Sequence, residues 1–145
     1  MTLVFGGHIG FVNAADGVPE VSRDVRAKAA LVKLKTEKQV ALLYVKGMTW
    51  PSCAIGIRVK LSKLDFVDGN RFKRGVDMDV NNQLLTVALK QGAQPNWQLI
   101  GQQIDDAGYL AVEWFSLEKD EFKTYPFLKV LEWGTSFSCR FRCVF

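Results

Sequence analysis

The sequence predicts an α+β domain in which a four-stranded antiparallel sheet carries two helices on one face. Three observations carry that expectation. Residues 40–46 (VALLYVK) and 109–115 (YLAVEWF) are runs of strand formers. Val76, Met78 and Val80 alternate with acids, and Leu85, Val87 and Leu89 alternate after Asn81-Asn82, which reads as a hairpin. Between these strands, apolar residues recur at steps of three and four, the period of a helix face.

The chain has 145 residues, 48% of them hydrophobic and 23% charged, the proportions of a globular chain of one domain with appendages. No apolar run reaches the ~18–20 residues of a membrane-spanning helix. A single histidine, His8, excludes a multi-histidine metal site. Three cysteines make no disulfide framework. The net charge of +4 permits acidic partners, but the basic residues are spread along the chain, so no nucleic-acid stripe is predicted.

Three regions are expected: an arm and helix over 1–38, a compact domain over 39–115, and an extension over 116–145. Leu3 to Val12 is short and apolar, and Val12-Asn13-Ala14 resembles a signal cleavage site, but no basic residue precedes it. A periplasmic and a cytoplasmic location both stay open. Ser22 is suited to cap a helix with Asp24 in its first turn, and Val25, Ala29 and Val32 share one face of it.

The central domain opens with a strand at 40–46, closed by Gly47. Pro51 suits the first turn of a helix near 52–64, where Ala54, Ile57, Leu61 and Leu64 form the apolar face. The hairpin occupies 74–80 and 84–90. Pro95 begins a second helix near 95–107 with Trp97, Ile100, Ile104 and Ala107 inward, and Gly108 ends it. A last strand covers 109–115. The order β-α-β-β-α-β is that of a ferredoxin-like sandwich, with spatial strand order fourth, first, third, second.

Gly47-Met48-Thr49-x-x-x-Cys53, followed by a helix, an Asn-Asn hairpin and Ile104-Asp105-Asp106-Ala107-Gly108-Tyr109, resembles the heavy-metal-associated domain. That family includes copper chaperones and the periplasmic mercury-binding protein. The resemblance covers about half the chain. It implies the ferredoxin-like fold and a soft-metal site of Cu(I) or Hg(II) type, with Cys53 as ligand and Met48, Thr49, Trp50 and Tyr109 supporting the loop. It implies that Met48 is a core residue under that loop and that Tyr109 packs beside it. The family motif has two cysteines. Here Trp50 stands at the first, so one thiolate remains, and the alternative is a metal-free interaction module that holds no cofactor. Further ligands are sought in Cys139 and Cys143, which end an extension in which seven of thirty residues are aromatic. A single cysteine with no histidine to activate it argues against an enzyme.

The same pattern puts Ala41, Leu43 and Val45 under the helices. It turns Val40, Leu42, Tyr44, Leu84, Ala88, Leu110, Val112 and Trp114 to the other face, next to Asp77 and Asp79. So large an apolar face requires a cover: the N-terminal helix, the C-terminal extension, a protein partner or a second copy of the chain.

Overall fold

A computed structural model describes residues 20–49 and 52–127; the side chains of Cys53 and Ala54 lie outside that description. Its elements are α1 (Arg23–Thr36), β1 (Val40–Lys46), α2 (Cys53–Leu61), β2 (Val76–Asp79), β3 (Leu84–Ala88), α3 (Trp97–Asp105), β4 (Leu110–Glu118) and β5 (Glu121–Pro126). They build an α+β structure on one antiparallel sheet of five strands in the order β2-β3-β1-β4-β5. No helix among the described residues is long and apolar enough to cross a membrane.

The fifth strand corrects the expectation of four. Glu118 to Lys123 is polar and reads as a turn or short helix, yet Glu118 pairs with Glu121 and the two strands stay in register as far as Glu113 and Pro126. Lys119 and Asp120 make the two-residue turn, both at positive φ (49° and 67°). That is the backbone twist a tight hairpin requires. Pro126 ends the strand at the sheet edge, where a missing N–H costs least.

One face of the sheet carries α2 and α3. Ala41, Leu43 and Val45 of β1, Leu85 and Val87 of β3, Ile57 and Leu61 of α2, and Ile100 and Ile104 of α3 are all buried there, with Met48. Asn96 caps α3 through its side-chain oxygen, which accepts from the Leu99 N–H at 3.1 Å. Pro95 therefore precedes the cap instead of opening the helix. In the β2–β3 connection the left-handed residue is Gln83 (φ 57°), while Asn82 is held by Asp79.

Between α2 and β2 the chain turns at Gly75 (φ 82°). A Cβ there would lie 2.4 Å from Val67 and 2.9 Å from the Asp68 carbonyl, so only glycine fits.

The other face is covered by α1. Ala30 packs with Leu42, Tyr44, Leu84 and Phe115, and with Ala29, Leu34, Val112 and Phe122 beside them. Ser22 caps this helix, its Oγ accepting from the Val25 N–H. The face it presents differs from the periodicity. Val25 and Val32 are 51% and 62% exposed, and Arg26 and Ala30 are the buried residues. Small alanines let the helix approach closely, and a flat guanidinium on an aromatic ring fills the rest.

The alternation expected in β4 is broken by a bulge. Tyr44 pairs with Glu113 but Val45 pairs with Ala111, so β4 holds one extra residue at Val112. Beyond the bulge the faces exchange: Phe115 lies under α1, and Trp114, expected there, packs with the α2–α3 core. Trp114 is stacked between Trp97 and Tyr125, with centroids 4.2 Å away on each side.

Candidate functional site

The loop between β1 and α2 begins where Gly47 (φ 91°) turns the chain out of the sheet, a conformation that favours glycine. Met48 then drops back into the core and is fully buried, and Thr49 is half-buried. Trp50 and Pro51 lie outside the described residues. Cys53 is the first residue of α2. Ser52 before it is itself helical and provides no side-chain cap, and the first turn contains no acid. The positive end of the helix dipole at this position favours negative charge.

Tyr109 stands next to this loop. Its Cδ1 would lie 3.6 Å from a Cβ at Gly47, and its N–H donates to the Ile104 carbonyl at 3.1 Å, which fixes the ring's backbone just beyond α3. The structure thus places Tyr109 beside Gly47, with Met48 and Tyr109 on the same core. Cys139 and Cys143 lie outside the described residues. Among the described residues, no group of three His, Cys, Asp or Glu side chains could hold a metal ion. Met48, sealed in the core, offers no donor to an ion on the loop.

Two further places were not visible in the sequence. The first lies on the α1 face. Arg26 is 4% exposed, and its guanidinium carbon sits 3.3 Å from the centroid of the Tyr44 ring. Its Nη2 donates to the Val21 carbonyl at 2.7 Å. Glu113 lies 3.6 Å from Nη1 and Glu20 3.8 Å from Nη2. The Tyr44 hydroxyl donates to the Glu20 carboxylate. Burial, and then that hydrogen bond, push the Tyr44 hydroxyl up to about 12. The same bond holds the Glu20 carboxyl below its ordinary value. An open groove of about 510 Å³ lies against these residues. Tyr44 is a donor here and not a base, and Arg26 is committed to ring, carbonyl and carboxylates. The cluster fastens α1; it holds no nucleophile.

The second place is on the solvent side of α2. Ile55 is 62% and Val59 38% exposed, and they border an open depression of about 320 Å³ with Arg58, Lys73 and Arg74. Residues 73 and 74 come from the irregular segment before β2, where no periodicity marks them.

Comparison with known proteins gives no match: no family model, no curated protein and no solved structure is similar to this chain.

Proposed function

We propose that this chain binds or transfers a soft metal ion of Cu(I) or Hg(II) type through Cys53, on a ferredoxin-like domain of the heavy-metal-associated kind. The observation that carries the reading is the position of Cys53 as first residue of an α2 with no side-chain cap, six residues after the turn at Gly47. Soft ions prefer thiolate sulfur, and a helix N-terminus favours the thiolate form of a cysteine placed there. The strand order β2-β3-β1-β4, with α2 and α3 as the two connections, also supports the fold part of the reading.

One thiolate does not close a site. The second donor is sought in Cys139, in Cys143, or in Cys53 of a second molecule, and the last of these makes the bound species a dimer. The ion is cargo in this reading, so no catalytic role is assigned to it.

A metal-free interaction module is the second reading. What favours it is the exposed apolar pair Ile55 and Val59 on the helix that Cys53 opens, together with the complete burial of Met48.

The deciding experiment titrates the fully reduced protein with Cu(I) and Hg(II) against a competing chelator, and repeats it with Cys53→Ala. The metal reading requires binding that the substitution abolishes. Equal affinity in both proteins removes this loop from metal chemistry and leaves the interaction module. Trp50→Cys restores a two-cysteine motif and should raise affinity.

A further inference from the structure

The α2 helix is apolar on two sides. Ile57 and Leu61 fill the core, while Ile55 and Val59, four residues apart and therefore neighbours on the helix surface, face solvent. Around them stand three cations, Arg58, Lys73 and Arg74, and the described residues that line the depression include no acid. None of the three forms an ion pair with another described residue. Arg58 instead donates from Nε to the Val76 carbonyl at 3.4 Å, which ties it to the start of β2.

The segment that supplies the other two cations is held in an unusual backbone. Phe72 and Arg74 have φ of 52° and 57°, a region non-glycine residues seldom adopt, and Gly75 follows at 82°. Strain of this kind persists where the surroundings impose it, and it gathers at functional surfaces. Here Gly75 is pinned against Val67 and Asp68, and the consequence is that Lys73 and Arg74 are carried to α2.

We propose that this depression docks an acidic protein segment, which sets one large apolar side chain between Ile55 and Val59 and places carboxylates against Arg58, Lys73 and Arg74. Charge complementarity fixes the sign of the partner, because every charged side chain among the described residues of the lining is a cation. The concave shape suits an inserted side chain, whereas a lipid surface would be met by a protruding apolar face. Nucleic acid would need exposed rings for its bases. Among the described residues the lining has none, and Trp97, Trp114 and Tyr125 are stacked on one another elsewhere. The proposal does not depend on Cys53 and stands with either functional reading.

The test uses the full-length ¹⁵N-labelled chain and three probes. One is an acidic peptide, Glu-Asp-Glu-Trp-Leu-Glu-Asp-Glu. The second replaces its Trp and Leu by Ser at the same charge. The third is a vesicle of phosphatidylserine and phosphatidylcholine. The Trp-Leu peptide should shift the amide signals of residues 55–59 and 73–74 and few others. Combined Lys73→Glu and Arg74→Glu should weaken it about tenfold or more, and Ile55→Ser about fivefold. All three positions are solvent-facing, so an unchanged circular dichroism spectrum accompanies those losses. No binding of the Trp-Leu peptide, equal binding of the serine peptide, or binding of vesicles with these same shifts each overturns the proposal.

Discussion

The two faces of the sheet are closed by different physics. Under α2 and α3 the seal is aliphatic: Leu43, Val45, Ile57, Leu61, Leu85, Ile100 and Ile104 are completely buried against one another. Under α1 the sheet is just as apolar, with Leu42, Tyr44, Leu84 and Phe115, but the helix brings one buried apolar residue, Ala30. It compensates with the Arg26 guanidinium on the Tyr44 ring, with Glu20 and Glu113 around that cation, and with Lys33 bonded to Asp77 at 2.7 Å. A helix that buries few of its apolar side chains can therefore cover an apolar face when small residues allow close approach and a planar cation covers the ring. The difference teaches that α1 is the conditional layer, open to pH and to single charge changes, and the α2–α3 layer is not.

The largest expected effect lies on the aliphatic side. Ile104→Ala removes a fully buried side chain from the core, and denaturant unfolding should show a loss of about 2–5 kcal/mol. On the charged side, Arg26→Ala removes the cation over Tyr44 and leaves the largely buried Glu113, among the described residues, with only the exposed Arg23 at 3.8 Å. A loss of about 1–3 kcal/mol is expected. Arg26→Lys should recover little of it, because an ammonium cannot lie flat on the ring. Equal losses at Ile104 and Arg26, together with full rescue by lysine, would break the comparison.

Alkaline pH sharpens it. The folded Tyr44 hydroxyl is raised from 10.0 to about 12, chiefly by burial and then by Glu20. Its contribution is complete below pH 10 and is lost as pH climbs toward 12, since the unfolded chain releases that proton first. The slope added by one such group approaches 1.4 kcal/mol per pH unit, by the linkage relation. Tyr44→Phe should flatten the stability profile between pH 10 and 12 relative to the parent chain, as followed by urea midpoints. The smallest effect belongs to Lys33→Ala. Both partners of the Lys33–Asp77 pair are partly exposed, so a loss of about 0.2–1 kcal/mol, shrinking as salt is added, is expected from chemical denaturation.

Much of the fold was legible because its signals are local. Strand β1 covers 40–46 as the run VALLYVK predicts, and the Ile100/Ile104 and Ile57/Leu61 spacings place α3 and α2 correctly. Two of the misreadings depend on a partner distant in sequence, and one on a local turn that lacks its usual residues. Trp114 and Phe115 exchange faces because of a bulge opposite Tyr44 and Val45, which no alternation within β4 foretells. β5 escaped notice because its turn, Lys119-Asp120, adopts positive φ without a glycine to announce it. The buried face of α1 is centred on Arg26, a residue whose charge argues for solvent until Tyr44 is placed beneath it. In the loop before α2, Gly47, Met48 and Tyr109 were legible from the motif. The depression at Ile55 was not, since Lys73 and Arg74 reach it through an irregular segment.

Native-state hydrogen exchange tests the division into two layers most directly. Amides of α1, such as that of Ala30, should open by a local route, with a free energy well below that of the slowest amides in β1 and α3 and with weak dependence on urea. If α1 amides exchange only through global unfolding, at the same free energy and with the same urea dependence as β1 and α3, the two faces are one cooperative unit and the account is contradicted.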